Sequence, residues 1–308
     1  MNNKAVYTSL SETEKRIPLF SSPTWLNAIA PNNWDVAIAQ KGDTILGVMP
    51  YFIKKKMGFT IMTMPPLTPY LGPILFYPEG QKSGTKLSFE KEIMEILIAQ
   101  LPKTDKFIQY FHPDITNGLP FQWKDFEQCV RYTYIVPKGK LKEECWGDLH
   151  GNIRRAIKKA EQSFHVSETE NASQIHRLKE KDYADKNLQL NYNEGYFTSL
   201  CKALITNETG KILTAKDEDG KTIAGILLGI DSGSIYYVSG AIDPEYRSSS
   251  ALSLLMWKGI ELAVERKLSF NFEGSMIESI ERYFRSFGAE QVPYFEVKKI
   301  DSKLLQLI

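Results

Sequence analysis

Arg247, Ser248, Ser249 and Ser250 stand between an apolar strand-like run, Tyr236–Ala241, and a helical apolar pattern of Leu252, Leu255, Gly259, Leu262 and Ala263. A turn that leads directly into a helix presents unpaired N–H groups and the positive end of the helix dipole. With a guanidinium and three hydroxyls added, the turn predicts a site for a phosphate or pyrophosphate. The same serines are equally suited to cap the helix that follows them. Further on, Glu273 follows Phe270-Asn-Phe at the end of a short strand, where a carboxylate could take a proton from an attacking amine. Its position before Ser275 also suits the N-terminus of the helix near Met276–Phe287. On that helix Met276, Ile280, Tyr283, Phe284 and Phe287 fall on one apolar stripe, with Arg285 beside it. Tyr283 and Arg285 are the candidates there for a proton donor or charge stabiliser.

A second group of charges precedes these. In Gly151–Gln162, Leu149, Ile153, Ala156, Ile157, Ala160 and Phe164 share one helical stripe. Arg154, Arg155, Lys158 and Lys159 therefore project from the other side, with Lys138, Lys140 and Lys142 just upstream. The face is suited to an anionic substrate, or is a solvated helix face. His112, His150, His165 and His176 have neither metal nor triad spacing, and Cys129, Cys145 and Cys201 show no disulfide or zinc pattern, so no metal is expected.

The elements that must position these groups can be read from hydrophobic period and turn chemistry. Lys211–Ala215, Thr222–Ile230 and Ser234–Ala241 form a three-stranded meander around the turns Asp217–Gly220 and Asp231–Gly233. The anion turn, a helix, a short strand, a helix and the strand Pro293–Lys298 follow. Upstream, Trp34–Gln40 and Thr44–Ile53 read as a hairpin, and Ser22 with Pro23 as a helix start. Phe89, Ile93, Ile96 and Leu97 mark a helix, while Lys106–Phe111 and Arg131–Val136 read as strands. Met64–Pro73 is too rich in proline for helix or central strand. It is an ordered or a disordered loop; its apolar content favours an ordered one lining a cleft, with Tyr70 as a substrate contact.

The chain of 308 residues, 43% hydrophobic, is long enough for two domains or one large one. A formal net charge of +1 argues against a general nucleic-acid or membrane-surface binder. The opening residues lack an apolar signal core and no apolar run has membrane-spanning length, so a soluble cytoplasmic protein is expected.

Arg247-x-x-Ser250-Ala251, between an antiparallel strand and a helix, resembles the pyrophosphate turn of GNAT acyltransferases, usually Q/R-x-x-G-x-G/A. Phe270–Ser275 followed by Tyr283–Gly288 is similar to the D-F-G-G strand end and F-K-x-x-F-G helix of the FemAB-like branch. Gly151–Ala160 and the Phe20–Leu26 opening are also similar to that branch. The resemblance implies an α/β fold of two GNAT-like domains with mixed, mostly antiparallel sheets flanked by helices, at 1–147 and 148–308. It implies acyl transfer from acyl-CoA to an amine or hydroxyl of a small-molecule or bacterial envelope-precursor acceptor. Tyr237, Val238, Gly240, Arg247, Ser248, Ser249, Ser250 and Ala251 would hold the donor. Backbone amides near Tyr237–Gly240 would polarise its carbonyl, and Tyr283 would act as general acid. Arg154, Arg155, Lys158, Lys159 and Tyr70 would hold the acceptor. Serines replace the glycines of the turn and Phe284 replaces the lysine of the helix motif. Two alternatives therefore stand beside the first: a FemAB-like aminoacyltransferase using aminoacyl-tRNA, and a binding protein on a degenerate transferase fold.

Overall fold

The computed structural model describes residues 2–307. In chain order the elements are α1 (Asn3–Thr13), α2 (Pro23–Ile29), β1 (Trp34–Lys41), β2 (Thr44–Lys56), β3 (Phe59–Thr63), β4 (Ile74–Leu75), α3 (Ser83–Gln100), β5 (Lys106–Tyr110), α4 (Leu119–Gln122) and β6 (Glu127–Val136). Then come α5 (Lys142–Asp148), α6 (Gly151–Ser163), β7 (His165–Thr169), α7 (Ala172–Asp185), α8 (Glu194–Thr206), β8 (Gly210–Lys216), β9 (Thr222–Ile230) and β10 (Ser234–Ile242). After a 3-10 turn at Pro244–Ser249 the chain ends with α9 (Ala251–Glu265), β11 (Ser269–Asn271), α10 (Glu278–Arg285) and β12 (Glu290–Ile300). No helix among the described residues is long and apolar enough to cross a membrane.

The chain forms two compact units, Met1–Arg131 with Pro293–Ile308, and Tyr132–Val292. They divide within β6 and β12, not at the expected 147/148. Two contacts account for the difference. Glu296–Ile300 of β12 pairs antiparallel with β5, which draws the C-terminus into the first unit. Cys145 of α5 and Leu149 just after it are buried in the core of the second, where Trp146 packs edge-on against Trp257.

In the first unit β1, β2 and β3 run antiparallel, and β5 lies parallel to β3 through Ile61↔Lys106 and Met62↔Phe107. Pro23 opens α2 behind the cap Ser22, as its sequence predicts. Where β3 stops, the proline-rich loop takes over the edge of β5. Leu71 N–H donates to Tyr110 O at 2.7 Å, and Tyr110 N–H donates to Met64 Sδ at 3.4 Å. Trp25 Nε1 donates to Thr68 Oγ1 at 2.9 Å and fixes the loop from behind. Tyr70 is only 1% exposed, packed edge-on against Phe20, His112 and Tyr294, so it is a core residue of this unit and not an accessible substrate contact.

In the second unit β8, β9 and β10 form the expected antiparallel meander, β7 pairs with β8, and β11 lies between β10 and β6. Every residue of β9 is buried, which its unbroken apolar run requires of a strand covered on both faces. α7 and α9 both pack on it. Each unit thus repeats one order: an antiparallel meander, a connection, a long helix, and a strand parallel to the last strand of the meander. The crossover that parallel pairing requires is supplied by α3 in one unit and α9 in the other.

Candidate active site

The site begins where two parallel strands part. β10 and β11 pair through Ser234↔Ser269, Ile235↔Phe270 and Tyr236↔Asn271, and there β11 ends. β10 continues to Ile242, still paired with β9 but with an irregularity between Tyr237 and Ser239. Past Tyr236 its other edge is therefore free of β11. The chain leaving β11 turns aside: Phe272 N–H donates to Tyr134 O at 2.9 Å, and Glu273 N–H donates to Asn271 Oδ1 at 2.8 Å. Thr133 Oγ1 bonds the same Asn271 oxygen at 2.7 Å.

Glu273 and Gly274 both take left-handed conformations, with φ of 60° and 67°. At Gly274 a Cβ would lie 2.2 Å from Tyr132 O, so only glycine fits. At Glu273 the same conformation is strained, by about 1–2 kcal/mol. This double turn directs the Glu273 side chain inward. Its Oε1 is buried and bonds no group among the described residues, and burial holds the carboxyl well above the usual carboxylate range.

Three hydroxyls gather near it. Tyr237, whose phenol burial also pushes up, sets its ring edge-on to Phe284 at 6.1 Å and its hydroxyl over Gly240, where a Cβ would lie 2.1 Å away. Tyr283 and Ser253 share a hydrogen bond of 2.9 Å, and burial pushes the Tyr283 phenol up to about 12. The Tyr237 phenol is further raised by Tyr283 and Glu273, which places all three in one neighbourhood. From α7, Lys179 Nζ donates to Gly240 O at 2.6 Å and lies 5.3 Å from the centre of the Tyr183 ring. Burial pushes its ammonium down to about 8.

The structure thus brings Glu273, Tyr283, Tyr237 and Gly240 together, with Val238 buried in the same strand. The anion turn is arranged differently from expectation. Arg247 is held by Asp182 at 2.7 Å and Asp185 at 2.5 Å, both on α7. The buried Asp182 also takes Lys186 at 2.7 Å. Ser249 Oγ accepts from Ala251 N–H at 3.3 Å, Ser248 is exposed, and Ser250 stands at φ 65° with its side chain capping nothing. Guanidinium and hydroxyls therefore do not converge on an open anion site. The residues at this turn, as paired here, do not fit the pyrophosphate of coenzyme A.

Arg285 does not join the cluster either; it is exposed and bonds Glu281 Oε1 at 2.9 Å along α10. The apolar stripe of α10 is shorter than its spacing predicts, since Met276 and Ile280 are 53% and 38% exposed while Tyr283, Phe284 and Phe287 face the core. On α6, Arg154 is half-buried and donates to Gly147 O at 2.7 Å, anchoring the preceding turn. Arg155 bonds Asn152, and Arg155, Lys158 and Lys159 are exposed. Sequence reasoning passed over Lys179, Tyr183 and Ser253. The only local signal was the four-residue spacing of Lys179 and Tyr183 on one helix face. Among the described residues no group of three or more His, Cys, Asp or Glu is placed to hold a metal ion.

Residues 148–285 match the family described as acetyltransferase (GNAT) domain. Among solved structures the chain is similar to FemX, at 15% identity and a TM-score of 0.69 over 99% of this chain and 98% of that one. It is similar to the C-terminal domain of a protein assigned as a lysylphosphatidylglycerol synthetase from Agrobacterium fabrum, at 11% identity and a TM-score of 0.62, covering 99% and 95%. A tandem GNAT protein from the clavulanic acid biosynthesis pathway matches at 9% identity and a TM-score of 0.53, covering 96% and 92%. A comparison with curated protein sequences gave no match. The chain has the double GNAT fold of the FemAB-like proteins.

Proposed function

We propose that the second unit is an acyltransferase that works where β10 and β11 part, moving an acyl group to an amine or hydroxyl. The observation that carries this reading is the Glu273 carboxyl, whose Oε1 is buried without a hydrogen-bond partner among the described residues, on a turn of two consecutive left-handed residues. An unpaired buried carboxyl is costly, and it persists where a ligand supplies its counterpart. An incoming amine would pair with Glu273 and lose its proton there as nitrogen attacks the acyl carbon. Backbone N–H groups on the edge of β10 that β11 leaves free would polarise the acyl oxygen. Tyr283, protonated at neutral pH and oriented by Ser253, would return a proton to the leaving group.

The donor reading favoured by the resemblance is acyl-CoA, but the pairing of Arg247 with Asp182 and Asp185 supports no step through its pyrophosphate. That pairing favours an aminoacyl donor as a second reading, and one structural neighbour is named for joining a lysyl group to a lipid. The test is which donor binds: acetyl-CoA, a longer acyl-CoA, or aminoacyl-tRNA. At a hundredfold over its dissociation constant the right one adds about 2.7 kcal/mol of stability, read as a rise in thermal midpoint. If none of the three shifts the midpoint, the transferase reading fails and a binding role replaces it.

A further inference from the structure

In the first unit, every charge of one long stretch of chain is gathered at a single hairpin tip. Residues 44–78 contain no Asp or Glu, and their only Lys or Arg residues are Lys54, Lys55 and Lys56. β1 accompanies β2 only as far as Phe52, so beyond Ile53 the hairpin of β2 and β3 runs on without it. Lys54 stands opposite Ile61, Lys55 opposite Thr60 and Lys56 opposite Phe59. Opposite residues share a face, so Lys54 and Lys56 lie with the half-buried Ile61 and Phe59. All three lysines are exposed, and none forms an ion pair or a side-chain hydrogen bond among the described residues. The carboxylate of Asp105 meets the hairpin here, but at the backbone, accepting from Thr60 N–H at 2.8 Å. The apex is Met57-Gly58, both with positive φ, 50° and 83°. A two-residue turn of this kind favours Asn-Gly or Asp-Gly, because a long side chain at its first position is strained. Met57 bears that strain while 88% exposed, so neither turn geometry nor packing accounts for an apolar residue at the apex.

We infer that this tip docks on an anionic phospholipid surface. Met57 enters the boundary between headgroups and acyl chains, and Lys54, Lys55 and Lys56 meet the lipid phosphates. An apolar apex followed by cations matches the layers of such a surface in order. A polynucleotide would satisfy the lysines alone. It gives no use to an exposed thioether, and Phe59, the one aromatic residue of the tip, is half-buried and offers bases no open stacking face. The whole chain carries a formal charge of only +1, so the attraction is local to the tip. With one apolar side chain and three cations, the contact is weak, reversible and sensitive to salt. It does not depend on the acyl-transfer reading of the second unit.

The full chain is mixed with vesicles of phosphatidylcholine alone, or of phosphatidylcholine and phosphatidylglycerol in equal parts, and the bound fraction is read after sedimentation. Binding to the anionic vesicles is expected, about tenfold or more stronger than to the neutral ones, and weakened by added salt. Lys54→Gln, Lys55→Gln and Lys56→Gln together should weaken it about tenfold or more. Met57→Asn separates docking from folding. Asparagine suits the turn, so this variant should raise the midpoint of urea unfolding, yet weaken vesicle binding about threefold or more. A single-stranded RNA probe should bind more weakly than the anionic vesicles. No binding to those vesicles, or failure of either variant to weaken it, overturns the inference. RNA binding that is tighter, lost with the lysines and indifferent to Met57→Asn overturns it in favour of a nucleic-acid partner.

Discussion

Replacing Glu273 with glutamine tests the centre of this site through folding alone. Glutamine keeps the size of the side chain and removes its ionisation. Glu273 is protonated in the fold well above its ordinary value of 4.5, because burial disfavours the carboxylate. The native state therefore binds more protons than the unfolded chain between pH 4.5 and the pH at which Glu273 ionises in place. Over that window wild-type stability falls as pH rises, by up to about 1.4 kcal/mol per pH unit. Glu273→Gln lacks this loss. The two proteins should be nearly equal below pH 4.5 and diverge upward, the variant becoming the more stable. For a unit of this size each kcal/mol moves the midpoint by about 2–4 °C, so divergence over a single pH unit is measurable. Urea unfolding at pH 5, 6, 7 and 8, with equal slopes for both proteins, gives the free energies directly. Parallel pH dependence would show that Glu273 ionises freely in the fold and would refute the buried-carboxyl reading.

Ser250→Gly should stabilise the protein by about 0.5–1 kcal/mol. It relieves a left-handed serine, worth about 1–2 kcal/mol, at an unfolded-state cost of about 0.4–1 kcal/mol, and removes no cap; a lower urea midpoint would mean that the hydroxyl is in use. Arg247→Ala should destabilise the fold by stripping Asp182 and Asp185 of their guanidinium, with Arg247→Lys recovering part of the loss; unchanged stability together with weakened donor binding would restore Arg247 as a donor contact. On α6, Arg154→Ala should cost about 1 kcal/mol through its lost backbone contacts, while alanine at Arg155, Lys158 or Lys159 should stay within about 0.5 kcal/mol. Chemical denaturation of the four single variants ranks them.

The second unit was the more legible half, and the reason is local. Asp217–Gly220 and Asp231–Gly233 are turn sequences between apolar runs, so β8, β9 and β10 could be placed nearly to the residue. The helix after Ser250 and the strand before Glu273 were legible for the same reason. Elements fixed by distant contacts were not. α1 is polar and buries Tyr7 alone, whose hydroxyl donates to Ser21 O at 2.7 Å, so its surface pattern carries almost no period. β3 has five residues and is held by β2 and β5. The anion turn was misread because a cation beside a helix start looks available until its partners are known. Asp182 and Asp185 lie some 60 positions earlier, on a helix whose polar face gave no sign of where it docks. Glu273 was found from its place at a strand end, while its lack of a partner could emerge only in three dimensions.

The proline-rich loop of the first unit acts as a ligand tethered to its own receptor. It lies on the edge of β5 that β3 vacates, and it offers Tyr110 an amide donor and a sulfur acceptor. Covalent attachment gives such a segment an effective concentration that a diffusing molecule cannot match. The Trp25–Thr68 hydrogen bond holds the loop on that edge. Of two copies of one architecture, the first thus fills the edge beyond its parallel pair with its own chain, while the second leaves that edge of β10 free of β11.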